Sequence, residues 1–132
     1  MTPQELAKLR QEYFNYTRIK NVLESNKNKN FVQRMLRPKD YPTIATPEGF
    51  GPKGSTSTHL MSQGYTTDES GKKTYIAYPM IFQDNESKSL YFKSKKDAAK
   101  EAIKRGEFIQ FDSEKEAVWF TQNYKDVMLK QD

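Results

Sequence analysis

This chain has one imidazole, His59, which directly follows a run of hydroxyls in "GSTSTH" (residues 54–59). A hydroxyl beside a base is the pairing that nucleophilic catalysis uses. In an extended strand, however, neighbouring side chains point to opposite faces, so Thr58 and His59 are expected not to meet. One histidine and no cysteine exclude, within a single chain, a two-histidine phosphoesterase site, a His-carboxylate-His metal site, thiolate ligands and disulfides. His59 therefore reads as a strand histidine bonded to a polar neighbour, and neither a metal nor a cofactor is expected.

The other candidate chemistry is similarly thin. "GFGPKGST" (residues 49–56) has glycines, a lysine and hydroxyls, but not the phosphate-loop spacing, and no long helix is expected to follow it. Most carboxylates that stand out (Glu5, Asp97, Glu114, Glu116) fall at helix starts, where the helix dipole and capping account for them. No acid–base couple emerges, and the chain reads as a non-enzyme.

Charge is more informative. The net charge is +5, and residues 1–40 hold 9 Lys/Arg against 4 Asp/Glu while the remainder is balanced at 13 against 13. Arg10, Arg18, Lys20, Lys27, Lys29, Arg34 and Arg37 are thus candidate phosphate contacts, binding nucleic acid through counterion release. Lys93, Lys95, Lys96, Lys100, Lys104 and Arg105 alternate with Asp97 and Glu101 and read as a solvated helix face.

The elements that carry these residues follow from local signals. "TPQE" is a capping box with Thr2 as N-cap and proline at the first helical position. Leu6, Leu9, Tyr13, Tyr16, Ile19 and Leu23 then recur at helical spacing, predicting one helix over about residues 3–24. A polar hinge, "SNKNKN", follows, and Asn30 is expected to cap a short second helix stopped by Pro38. Three prolines and three glycines between Asp40 and Ser55 predict a long ordered loop or arm.

"STSTHLMSQGY" and "KKTYIAYPMIF" read as an antiparallel hairpin, with Pro79 at an edge or bulge. A short "LYF" strand precedes a helix capped by Ser94, whose Ala98, Ala99, Ala102 and Ile103 form a thin apolar face. Gly106 suits the left-handed position that ends it. "EFIQF" is a further strand, and Ser113 with Glu116 opens the last helix, with Ala117, Phe120, Tyr124, Val127 and Met128 on one side. Trp119, the only tryptophan, falls roughly 100° off that stripe and is expected to cover the hairpin edge or dock on a partner.

At 132 residues the chain has room for one modest core, and eight Tyr and eight Phe supply much of it. No apolar run of about 18 residues is present and the N-terminus lacks a secretory core, so a soluble protein made in a cytoplasm is expected, with no membrane contact.

Taken in order, "NFVQRMLRPKDYPTI", "GSTSTHLMSQGY", "GKKTYIAYPMIF" and "DAAKEAIKRGEFIQFDSEKEAVWFTQNYK" resemble a domain of tailed-bacteriophage proteins. That domain occurs as a short stand-alone protein and inside very large phage polypeptides, including virion-associated ones. The similarity spans about residues 30–125 and leaves residues 1–29 outside. It implies a viral origin, a place in or near the particle and no catalytic constellation.

The resulting expectation is an α+β fold: a small, mainly antiparallel sheet packed by two C-terminal helices, with an N-terminal helical arm and hinge (1–29) and an α+β domain (30–132). The expected function is that of a non-enzymatic virion component (minor capsid, connector or tail, or internal cargo), present in the host cytoplasm during production. It would bind other phage virion proteins, or itself as a homo-oligomer, through Leu6, Leu9, Tyr13, Tyr16 and Trp119. The alternatives are a nucleic-acid-binding protein using the basic residues above on DNA, and a host-directed inhibitor.

Overall fold

The computed structural model describes residues 1–129, with side chains through residue 125. The fold is α+β, as expected. Helix α1 spans Pro3–Ser25. Its capping box is formed: Thr2 Oγ1 accepts from the Glu5 amide at 3.1 Å, and the Glu5 carboxylate accepts from the Thr2 amide at 3.5 Å. Such a cap stabilises a helix by about 0.5–2 kcal/mol. Asn26 ends the helix, donating from its side chain to the Val22 carbonyl at 2.8 Å.

Helix α2 spans Asn30–Leu36. Asn30 does not cap it; it is the first helical residue, and Lys29, which occupies the cap position, makes no side-chain cap bond. A lysine has no acceptor, so another group must supply one. The Glu107 carboxylate does, accepting from the Asn30 amide at 3.1 Å across 77 residues of sequence. The Asn30 side chain is thereby released to accept from Arg34 Nε at 3.0 Å and donate to Gln83 at 2.8 Å.

Pro38 stops α2, and a 3-10 turn follows over Pro38–Asp40. The proline- and glycine-rich loop is tied at its base where β1 (Ile44–Ala45) pairs antiparallel with β2 (Thr56–Ser57).

The hairpin is formed by β3 (Met61–Thr67) and β4 (Lys73–Pro79), in register from Met61 opposite Pro79 to Thr67 opposite Lys73. Asp68 holds the turn by accepting from the Ser70 and Lys72 amides at 2.9 and 3.0 Å, and Gly71 takes the φ of +85° that favours glycine. Strand β7 (Ile109–Phe111) joins the other edge of β4, again antiparallel. Its pairing stops at Ala77, so Pro79 ends β4 beyond it and no ladder bond to β7 is lost.

At Pro79 the chain leaves this sheet. The Met80 amide donates to the Leu60 carbonyl at 2.8 Å and its carbonyl accepts from Lys93 at 2.9 Å, and β5 (Ile81–Gln83) pairs with β6 (Leu90–Phe92) separately. In place of the single small sheet expected, the described residues form three.

Helix α3 spans Lys95–Arg105 and ends at Gly106 in the left-handed conformation, φ 70°. Ser94 sits at its N-cap, but its hydroxyl lies 3.4 Å from Asp97 and makes no cap bond to the backbone. Helix α4 spans Glu114–Leu129, and Ser113 Oγ accepts from the Glu116 amide at 3.2 Å. Ala117, Phe120 and Tyr124 are buried as read from the stripe; the side chains of Val127 and Met128 lie outside those described. Ile103, expected on the apolar face of α3, is exposed, because only Ala98 and Ala102 point squarely at the sheet.

Alternation along β4 divides the core. Ala77 faces one side, in a cluster with Ile19, Leu23, Phe31, Val32, Phe120 and Tyr124. Ile76 and Tyr78 face the other, with Leu60, Ile81, Phe82, Ala98 and Ala102. Helices α1, α2 and α4 thus cover one face of the hairpin sheet and α3 the other. Across the expected boundary at residue 29, the last turns of α1 lie in the same cluster as Phe31 and Phe120.

Candidate interaction surface

Helix α1 is two structures in one. Ile19 and Leu23 have no exposed surface, whereas every residue from Met1 to Gln11 is exposed, including the small and apolar ones. Leu6, Leu9, Tyr13 and Phe14 keep 40%, 48%, 72% and 60% of their surface in water. Tyr16 is half-buried and marks the junction.

With each helical residue advancing about 100°, the mean direction of Leu6, Leu9 and Tyr13 lies roughly 90° around the axis from that of Ile19 and Leu23. The line that faces the body in the second half continues into the first through Lys8 and Glu12, which are not core residues. The apolar side chains of the first half therefore aim away from the protein's own core. Leu9, Arg10, Tyr13, Phe14 and Thr17 line an open, mostly apolar groove of about 500 Å³ there.

A helix segment of this length without tertiary packing is marginal in water, so local devices must hold it. They are present: the Thr2–Glu5 box, Pro3 in the first turn, and Gln11 donating to Asn15 one turn on at 2.9 Å. Phe14 belongs to this surface although the stripe alone does not include it; the signal available in the sequence was a bulky aromatic out of phase with the core.

Trp119 lies elsewhere. It is half-buried against the core cluster of α1, α2 and α4, and the Arg18 guanidinium stacks 3.9 Å from its ring centroid. The ring lines an open cleft of about 330 Å³ with Ile109, Phe111 and Asp112 beside β7, the edge strand of the hairpin sheet, and it clamps α1 to α4. Arg18 is accordingly occupied by this stacking, worth about 0.5–2 kcal/mol.

The basic candidates separate in the same way. Arg34 is only 1% exposed and forks onto the carbonyls of Thr58 and Ile81, both at 2.7 Å. It cannot reach a phosphate: its charge is spent joining α2 to the bend before β3 and to β5. Burial draws its pKa down to about 10, although Glu107 nearby favours the charged form. Burial raises the Glu107 carboxyl, and its Oε2 is buried with no hydrogen-bond partner among the described residues.

Lys20, Lys27 and Arg37 line one cleft of about 540 Å³ with Glu24, Asp40 and Tyr41. Lys20 lies 3.9 Å from Glu24, and Lys29 donates to Asn26 at 3.0 Å. Arg10 stands apart, on the exposed half of α1.

The histidine corrects an expectation. Thr58 Oγ1 and His59 Nδ1 are 2.9 Å apart. They meet because Thr58 lies in a bend between β2 and β3, where strand alternation does not apply. The ring packs 5.8 Å from that of Tyr124, and burial pushes the His59 pKa down to about 4, assisted by Lys125 and Arg34. A neutral, enclosed imidazole bonded to one hydroxyl is a packed side chain. The other hydroxyls of the run close the loop: Ser57 bonds Thr46 at 2.6 Å, and Ser55 donates to the Pro52 carbonyl at 2.7 Å.

Among the described residues no three His, Asp or Glu side chains are placed to hold a metal ion, and no helix is long and apolar enough to cross a membrane. Comparison with family models, with curated proteins and with solved structures gives no match. What the fold and surface define is an α+β domain carrying a projecting helix with an unburied apolar face.

Proposed function

We propose that this chain is a non-enzymatic bacteriophage particle component that docks onto other virion proteins through the first half of α1. The observation that carries this reading is the exposed set Leu6, Leu9, Tyr13 and Phe14, aimed away from the protein's own core on a helix held by its own cap. Large apolar and aromatic groups presented in this way are the anchors that protein interfaces bury. The phage context rests on the resemblance over residues 30–125. A host-directed inhibitor would use the same face on a host protein and be absent from particles.

Quantitative mass spectrometry of purified particles tests it. The wild-type chain is expected at a fixed copy number relative to the major capsid protein, and Leu9→Glu with Tyr13→Glu is expected to be lost from particles while remaining folded. Absence of the wild-type chain from particles, or retention of the double variant at wild-type level, overturns the reading.

One observation favours a second reading, nucleic-acid binding: Lys20, Lys27 and Arg37 share a cleft with Tyr41. It predicts DNA affinity that falls steeply with salt and is lost in Lys27→Glu with Arg37→Glu. Point variants are needed, since deleting residues 1–40 would also remove Ile19, Leu23, Phe31 and Arg34 from the core.

A further inference from the structure

Leu6, Leu9, Tyr13 and Tyr16 alternate by three and four residues, the spacing at which two helices keep one seam in contact over successive turns. With Leu6 and Tyr13 at the first core position of each heptad, Glu5 and Arg10 flank the seam on opposite sides. In a parallel, in-register pair these two positions are neighbours across the seam, so Glu5 of one copy stands beside Arg10 of the other, twice by symmetry. An antiparallel pair with the same core would instead set Arg10 against Arg10. The seam stops at Lys20, the next core position, whose ammonium lies 3.9 Å from Glu24.

We infer that the projecting half of α1 is a homotypic docking site, on which two copies of this chain associate as a short parallel helix pair over residues 5–17. This rests on the reading of that face as a docking surface and names its occupant from charge complementarity. Two heptads bury less than the roughly 1,200 Å² of a standard interface, so the pair is weak alone. It strengthens where copies are held near one another, as in a symmetric assembly.

The chain has no cysteine, so a single introduced one reports the pairing. In Leu6→Cys the two thiols face each other in a parallel pair, and a covalent dimer is expected under mild oxidation at about 100 µM protein, given the roughly 5.5–6 Å Cα separation a disulfide needs. In an antiparallel pair position 6 faces position 16, about 15 Å away along the axis. Lys8→Cys, off the seam, is the control and is expected to stay monomeric.

Charge exchange gives the second readout, by sedimentation across a concentration series. Glu5→Arg and Arg10→Glu should each weaken self-association about tenfold, which is about 1.4 kcal/mol. An equimolar mixture of the two should associate more tightly than either variant alone, because the mixed pair has two opposite-charge contacts, but short of wild type, since Glu5→Arg also removes the capping box that holds this end of α1. A wild-type chain monomeric at every concentration, a Leu6→Cys variant that does not cross-link, or a Lys8→Cys control that cross-links as fast overturns the self-pairing. If self-pairing fails while Leu9→Glu with Tyr13→Glu is still lost from particles, the docking reading stands with a different partner. If that variant is retained, the docking reading itself falls.

Discussion

In the second half of α1, Ile19 and Leu23 are sealed against Phe31, Phe120 and Tyr124, and the Arg18 guanidinium sits over the Trp119 ring. In the first half, residues of the same kinds, Leu6, Leu9 and Tyr13, stay exposed, keeping 40%, 48% and 72% of their surface in water. Composition does not separate the two halves; phase does. A rotation of roughly 90° between the two apolar stripes is enough to give one rigid helix an inward-facing end and an outward-facing end. The inward end anchors the outward one, so the projecting half can be presented without a domain of its own.

The comparison is sharpened most by cutting the support beneath the inward end. Arg34→Ala leaves the Thr58 and Ile81 carbonyls without their buried donor and unties α2, against which Ile19 and Leu23 pack. A loss of about 3–5 kcal/mol is expected in urea unfolding. Arg34→Lys should recover little of it, because an ammonium cannot reproduce the fork. An Arg34→Ala loss under about 1 kcal/mol would show that the inward end does not depend on this tie.

Truncation on the two ends of α1 should then diverge. Leu23→Ala is expected to cost about 2–5 kcal/mol, as fully buried leucines do. Leu9→Ala should change stability by no more than about 0.5 kcal/mol, as at an exposed site. Equal losses would break the division into two halves.

Acid should act on the inward end through His59. Its folded pKa, about 4, lies below the unfolded value near 6.5, so the unfolded state binds the proton more tightly. Stability is fully present above about pH 6.5 and is lost as pH falls towards 4, by on the order of 2–3 kcal/mol. Comparing urea midpoints of wild type and His59→Asn between pH 7 and pH 4 isolates this contribution; parallel curves would remove it.

Smaller still is the clamp. Trp119→Ala removes a half-buried ring and its Arg18 stacking, and about 1–2 kcal/mol is expected. Because the ring is not on the outward face, particle incorporation should survive the change. Loss of incorporation with stability intact would restore Trp119 as an interface residue.

What could be read in advance was local. The Thr2–Glu5 box, Gly106 after α3 and Ser113 before α4 each depend on residues within one turn, and each is formed. The existence of the hairpin and the Ala117, Phe120 and Tyr124 stripe follow from short periodicities. Long-range substitutions were not legible: Glu107 capping α2 from 77 residues away leaves no pattern near Asn30. The split of one sheet into three turns on Pro79 ending β4 and on Met80 bridging Leu60 and Lys93, and spacing alone does not reveal those bonds. The same limit hid the burial of Arg34. For the candidate surface, Leu6, Leu9 and Tyr13 were identified but read as one stripe with Ile19 and Leu23, because a wheel of positions does not show where the body of the protein ends.

Amide hydrogen exchange resolved along α1, in dilute isolated protein, tests the two-halves account most directly. Amides of residues 19–25 should exchange with the slow core, while those of residues 6–14 exchange through local fraying at rates orders of magnitude faster. Uniform protection from Leu6 to Leu23 would contradict it, since it would mean that the outward end is already packed on its own chain.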